Sequence, residues 1–201
     1  RAASAARACA QRKTERGAAH MGAEDYNFFL AVAFAAEQLK ILPYHRVVKD
    51  LGALSVSDFL DKVREQFAVA EGAKPEPARG HYAMLLSNAP TRWLNLTPRL
   101  PVQGSAIARL DVSVLQDRLL APILGIRDPR TDARIDFVGG IRGTPELEKW
   151  VSEGRAAVAF ALHPTSIQEV MTGSDGGEIM PPKSTWFEPK LRDGLLIHCL
   201  D

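Results

Sequence analysis

Three stretches of this chain carry side chains suited to holding an anion. In the first, Pro43-Tyr44-His45-Arg46, an imidazole and a guanidinium follow one another at the end of an apolar run. An adjacent His and Arg can bind a phosphate or a carboxylate; equally, Tyr44 and His45 can cap a sheet while Arg46 stays solvated. The second is the turn Gly139-Gly140-Ile141-Arg142-Gly143 between a strand-like and a helix-like segment. Backbone N–H groups at such a junction receive anions, here with Arg142 beside them. A tight turn alone also demands glycine, and the spacing matches neither G-x-G-x-x-G nor G-x-x-x-x-G-K-[ST]. The third is Pro181-Pro182-Lys183-Ser184-Thr185-Trp186-Phe187-Glu188-Pro189-Lys190, a proline-stiffened loop. There Lys183 and Lys190 offer point charges, and Ser184 and Thr185 offer hydroxyl donors. The plainer reading packs Trp186 and Phe187 into the core.

Other polar groups read as structural. Thr165 and Ser166 follow His163-Pro164 and suit a helix cap. His20, His81, His163 and His198 have no ligand spacing to Cys or acid partners, and no metal site is expected. Asp111, Asp117, Asp128, Asp132 and Asp136 form no paired-acid motif and read as caps and turns. Cys9 and Cys199 make no disulfide scaffold and no metal site by themselves, which points to a reducing, cytoplasmic setting.

The elements that must position these residues follow from pattern. Residues 2–16 are rich in Ala and Arg, a good helix by propensity, ended by Gly17 and Gly22. The apolar run 26–34 has the length of a buried strand, and a short strand over 39–42 should lie beside it. Ser55 or Ser57 caps a helix whose Val56, Phe59, Leu60, Val63 and Phe67 share one face. Residues 71–77 form a linker, with a subdomain boundary at 72/73 dividing the chain into 1–72 and 73–201. Strands over 81–86 and 92–96 make a hairpin. Asp111 caps a helix to Leu120, ended by Pro122. Residues 135–138 form a strand, and Thr144 caps a helix to Glu153 with Pro145 at its first position. A strand over 156–162, a short helix over 166–171, a loop over 173–177 and a last strand over 195–200 complete an α+β chain with a mixed sheet.

With 201 residues, 46% hydrophobic and 24% charged, the chain has globular composition, so collagen-like and wholly disordered classes are excluded. No apolar run is long enough for a transmembrane helix, and no membrane partner is expected. Net charge is +1, but residues 1–16 hold five basic groups against one acid, which leaves the body slightly acidic. A duplex-binding domain carries a basic face over its body, so nucleic acid is not the first partner. Residues alone reach a globular α+β domain with a possible anion site.

Three strings together resemble a known family: Ile41-Leu42-Pro43-Tyr44-His45-Arg46-Val47-Val48-Lys49, Asp136-Phe137-Val138-Gly139-Gly140, and Met180-Pro181-Pro182-Lys183-Ser184-Thr185-Trp186-Phe187-Glu188-Pro189-Lys190-Leu191. They are similar to the bacterial and archaeal family called domain of unknown function 1015, itself similar to the ParB and sulfiredoxin superfamily. The resemblance covers essentially all of the chain. It implies the C-terminal half of a longer protein, with residues 1–72 as the end of a ParB-like domain and Arg1 closing the family's Gly-His-His-Arg signature. Relatives with that fold include kinases of free L-serine. The resemblance therefore implies phosphoryl transfer to a small hydroxy amino acid, with Mg²⁺ and ATP, ADP or pyrophosphate. On that reading Arg1 contacts phosphate, and His45, Arg46, Lys183, Ser184 and Thr185 serve donor or substrate. Gly139, Gly140, Arg142 and Lys190 are weaker candidates, and the catalytic base is not assigned. Two rival readings are a ParB-like nucleotide- or DNA-binding regulator and a structural domain supporting a catalytic half. A homo-oligomer is compatible with each.

Overall fold

The computed structural model describes residues 2–72, 74–87, 93–192 and 194–199. The chain forms two compact units, residues 1–39 with 189–201, and residues 40–188. In the first, helix α1 (Ala2–Arg16) is followed by single helical turns at Gly17–Ala19, Asp25–Asn27 and Ala36–Gln38. Tyr26 is buried and its hydroxyl pairs with His20 Nδ1 at 2.8 Å. Glu24 accepts from the Met21 and Gly22 N–H groups, which holds its carboxyl down at about 2.

The strand expected over 26–34 does not form. Residues 28–35 have no regular structure, and Phe28, Phe29, Leu30 and Val32 are about half exposed. A strand requires a ladder partner for its backbone groups, and the segment expected beside it is taken elsewhere: β1 (Lys40–Leu42) pairs antiparallel with β8 (Trp186–Glu188). The last expected strand is also absent: 194–199 carry no strand, and Leu195, Leu196 and Ile197 are exposed. Leu200 lies outside the described residues.

The second unit is built on a six-stranded sheet. Its strands are β2 (Tyr44–Val48), β3 (Phe67–Glu71), β4 (Tyr82–Leu86), β5 (Leu94–Pro98), β6 (Ile135–Gly139) and β7 (Val158–Leu162), in the order β3-β5-β4-β7-β2-β6. Every neighbouring pair is antiparallel, so the sheet is not mixed as expected. The alternation of strand and helix late in the chain does give a βαβ unit, because β6 and β7 run the same way and are joined by helix α4 (Gly143–Ser152). Strand β2 lies between them and makes each contact antiparallel. The 71–77 stretch, expected to mark a subdomain boundary, sits within this unit: β3 before it pairs with β5 after it, Phe67 opposite Pro98. The hairpin of β4 and β5 is present as expected, two residues later in its second strand.

Helices cover both faces. Helix α2 (Val56–Gln66) is capped by Ser55, which accepts from Asp58 N–H. Its buried Phe59 and Val63 meet Phe67, Met84, Leu96 and Phe160 on one face. Helix α3 (Asp111–Leu115) packs there too and continues as a π-helical turn, Gln116–Leu120. Asp111 does not cap it as expected; its carboxylate reaches across to accept from Gly80 N–H at 3.1 Å. On the opposite face, Leu147 and Val151 of α4 pack on Val47, Ala83, Val138, Ala159 and Ala161. Thr144 is inside α4 and is not its cap, because Gly143 with φ of 68° begins the turn one residue earlier. Helix α5 (Ile167–Asp175) is capped by Ser166, as read, with Glu169 completing a capping box, but runs on through the expected loop at Gly173. Gly173 is buried against Ile107, so its missing side chain, not flexibility, explains it.

Candidate functional site

Strand β2 brings the first motif to the middle of the sheet, and the pleat then divides it. Successive residues of a strand point to opposite faces. Arg46 and Val48 lie on the face that packs on α2 and α3, with Tyr44 at the same parity, and His45 and Val47 on the face that packs on α4. His45 and Arg46, adjacent in sequence, therefore cannot grip one ligand from the same side.

Arg46 is only 4% exposed. It donates to the Tyr44 carbonyl and lies over the Phe137 ring, 4.9 Å from its centroid, on the cross-strand partner in β6. Among the described residues no carboxylate pairs with it, and burial alone brings its guanidinium down to about 9, still charged at neutral pH. It lines a cavity of about 320 Å³ with Gln116, Arg127, Arg130, Pro181 and Pro182. Asp128 is also at this cavity, but both its oxygens accept from Arg130 and are held there. Gln116, at the start of the π-helical turn, is fixed by donating to the Ile126 carbonyl at 2.7 Å. Three arginines against one carboxylate leave this cavity with a net positive charge.

The third motif meets the first here. Pro181 and Pro182 wall the Arg46 cavity, and Lys183 Nζ sits 5.2 Å from the centre of the Tyr44 ring. Lys183 also holds a left-handed backbone, φ 54°, rare for a residue with a side chain. Ser184 is buried, and its carbonyl accepts from Thr165 Oγ1 at 3.1 Å. Thr165 is thus a tie to this loop and not a cap. Thr185 is half-buried, and Lys190 lies in the other unit. Arg1 lies outside the described residues.

The glycines of the second motif answer to packing. A Cβ on Gly139 would lie 2.3 Å from the Trp186 ring, and one on Gly140 would lie 2.8 Å from the Pro43 carbonyl. Gly140 N–H donates to that same carbonyl at 2.8 Å. Arg142 is exposed and lies 3.9 Å from Glu146.

His45 opens on the opposite face. It is 4% exposed, and its Nδ1 accepts from Leu162 N–H at 3.3 Å. Burial, with Arg46 nearby, pushes its pKa down to about 4. A cavity of about 550 Å³ lies against it, with Glu76, Thr144, His163, Pro43 and Leu162 in its wall. The residues missed from sequence are Gln116, Arg127, Arg130 and Glu76. Only Arg127-Asp128-Pro129-Arg130, two cations flanking a proline turn, carried a signal that could have been read. Among the described residues no three His, Cys, Asp or Glu side chains cluster as a metal site.

Comparison with solved structures gives partial likenesses of low identity. A free serine kinase in complex with AMP superposes with a TM-score of 0.49 at 13% identity, over 79% of this chain and 57% of that one. A conserved hypothetical protein from Pyrococcus furiosus gives 0.46 at 15%, over 75% and 56%. The chain thus spans little more than half the length of these structures. No curated protein matches it. A family profile described as a protein of unknown function, DUF1015, matches residues 1–113, which takes in α1, the Tyr44-His45-Arg46 strand and the helix through Ser113. The chain belongs to that family.

Proposed function

We propose that this chain is part of a phosphotransferase that acts on a small hydroxy amino acid, free L-serine, with a nucleotide or pyrophosphate as donor. The Arg46 cavity is the seat of a donor phosphate. The observation that supports this is a buried guanidinium with no carboxylate partner among the described residues, facing open space with two more arginines beside it. A buried charge is costly unless it is paired, and an Arg cluster pairs best with phosphate, which it can grip through two parallel hydrogen bonds. Charge neutralisation and positioning are the main work of phosphoryl transfer. The ParB-like resemblance of the sequence supports the serine acceptor.

Mg²⁺, which donors of this kind bring, finds no dedicated cage here. Among the described residues the one carboxylate at the cavity, Asp128, is already committed to Arg130, so the residues present do not fit a protein-held ion. For the Lys183 loop, a packing role is favoured by the Thr165–Ser184 tie and the seat of Lys183 on Tyr44. The test is incubation with L-serine, Mg²⁺ and ATP, ADP or pyrophosphate in turn, with O-phosphoserine read by mass spectrometry. Product with one donor is the expected result. Absence of product, with pyrophosphate still bound, leaves an anion-binding regulator; absence of both leaves a scaffold.

A further inference from the structure

The His45 cavity has a wall that the phosphate reading does not use. Leu162 N–H is a fixed donor, so the Nδ1 it meets must present its lone pair. A neutral imidazole then carries its proton on Nε2. Among the described residues, Tyr82 Oη is the only fully buried side-chain polar atom without a partner. Among the described residues the His45 Nε2 donates to no protein group and is not sealed, so it is reached from open space, and this cavity lies against it. His163, in the same wall, has the reverse arrangement. Its Nδ1 donates to the Pro77 carbonyl at 3.1 Å, which leaves Nε2 of the neutral ring as an acceptor. Glu76 adds a carboxylate, one oxygen of which accepts from Thr144 Oγ1 at 3.2 Å.

The wall thus holds one donor without charge, two acceptors, and flat apolar surface from Pro43, Pro77 and Pro164. Glu76 repels an anion, and His45 has no charge with which to attract one. We propose that this cavity is a second binding site, for an uncharged flat ligand with an amide- or amidine-type edge. Its acceptor takes the His45 Nε2–H, its neighbouring N–H faces Glu76 and His163, and its faces lie against the prolines. Strand parity separates this site from the Arg46 cavity, so it stands whether or not phosphate binds there.

The test uses the protein with ¹⁵N-labelled histidine and the probes adenosine, uridine and nicotinamide, with pyrophosphate as the anionic control. At neutral pH the His45 signals should show Nε2 protonated and Nδ1 bare, and at least one of the three probes should shift them while pyrophosphate does not. Glu76→Gln, at an exposed position, should weaken that probe about tenfold, the size of one lost hydrogen bond to a charged group. A charged or Nδ1-protonated His45, no shift with any of the three probes at millimolar concentration, or a shift with pyrophosphate would each overturn the proposal. Pyrophosphate binding measured by calorimetry in the same samples reports the other cavity independently, so failure of one site is distinguishable from failure of the other.

Discussion

Arg46 and His45 show how one residue of register separates two chemistries. Arg46 keeps its charge in a buried place, where among the described residues a carbonyl accepts from it and a ring lies under it. Replacing a buried charge by a side chain of similar volume is often neutral or stabilising. Arg46→Met is therefore expected to melt at the same or a higher temperature and to bind pyrophosphate about 10- to 100-fold more weakly, the loss of charge-assisted hydrogen bonds. Calorimetry and thermal denaturation on the same samples check both halves. His45 gives a pH signature. Its pKa falls from 6.5 in the unfolded chain to about 4 in the fold, so the unfolded state binds more protons between those values. The stability His45 contributes is full above about pH 6.5 and is lost as pH drops toward 4, on the order of 3 kcal/mol. His45→Gln should remove that part of the acid slope, measured as denaturant midpoints from pH 7 to 4. A slope unchanged by the substitution would mean that His45 binds its proton as readily in the fold as in the unfolded chain.

At the scale of elements, the close approach of β6 to β8 and to the end of β1 is set by Gly139 and Gly140. Gly139→Ala drives a methyl into the Trp186 ring and is expected to destabilise by about 1–3 kcal/mol, the usual cost of overpacking. Urea denaturation measures it, and a loss under 0.5 kcal/mol would show that Trp186 moves aside. Ser166→Ala removes one arm of the α5 capping box and should cost about 1 kcal/mol. These helices and caps were legible in the sequence because their signals are local: Ser55 before an amphipathic run, Ser166 just after His163-Pro164. The runs at 26–34 and 195–200 misled for the converse reason. Apolar composition marks a segment that can be a strand, whereas only a partner with free backbone groups makes it one. Half of the candidate site was legible in the same way. Sequence marked Arg46 and the Pro181-Pro182 stretch, but not Gln116 on the π-helical turn or Arg127 and Arg130 after it, which reach the cavity only through the tertiary fold.

For the whole molecule, residues 40–188 contain the complete sheet, both helical layers and the two cavities, and they close with β1 paired to β8. A polypeptide of residues 40–188 is expected to fold cooperatively, with a near-ultraviolet circular dichroism spectrum like that contributed by this unit in the full chain. A molten spectrum would show that the first unit is needed for packing. The first unit has the opposite character: five large apolar residues between Phe28 and Phe34 are exposed by 38% or more, a cluster of the kind that marks interaction surfaces in soluble proteins.

The sequence by itself determined the α+β class, most helix positions, the β4–β5 hairpin and the residue types that can hold an anion, because propensity, capping and periodicity act over a few residues. Tertiary structure alone decided the rest. It set which strand lies beside which, turned a βαβ alternation into an antiparallel sheet by seating β2 between β6 and β7, and sent His45 and Arg46 to opposite faces. The physical reason is that backbone hydrogen bonds and strand parity are satisfied by partners tens of residues away. The chemistry of a side chain is fixed by its type, but the cavity it serves is fixed by the strand that pairs beside it.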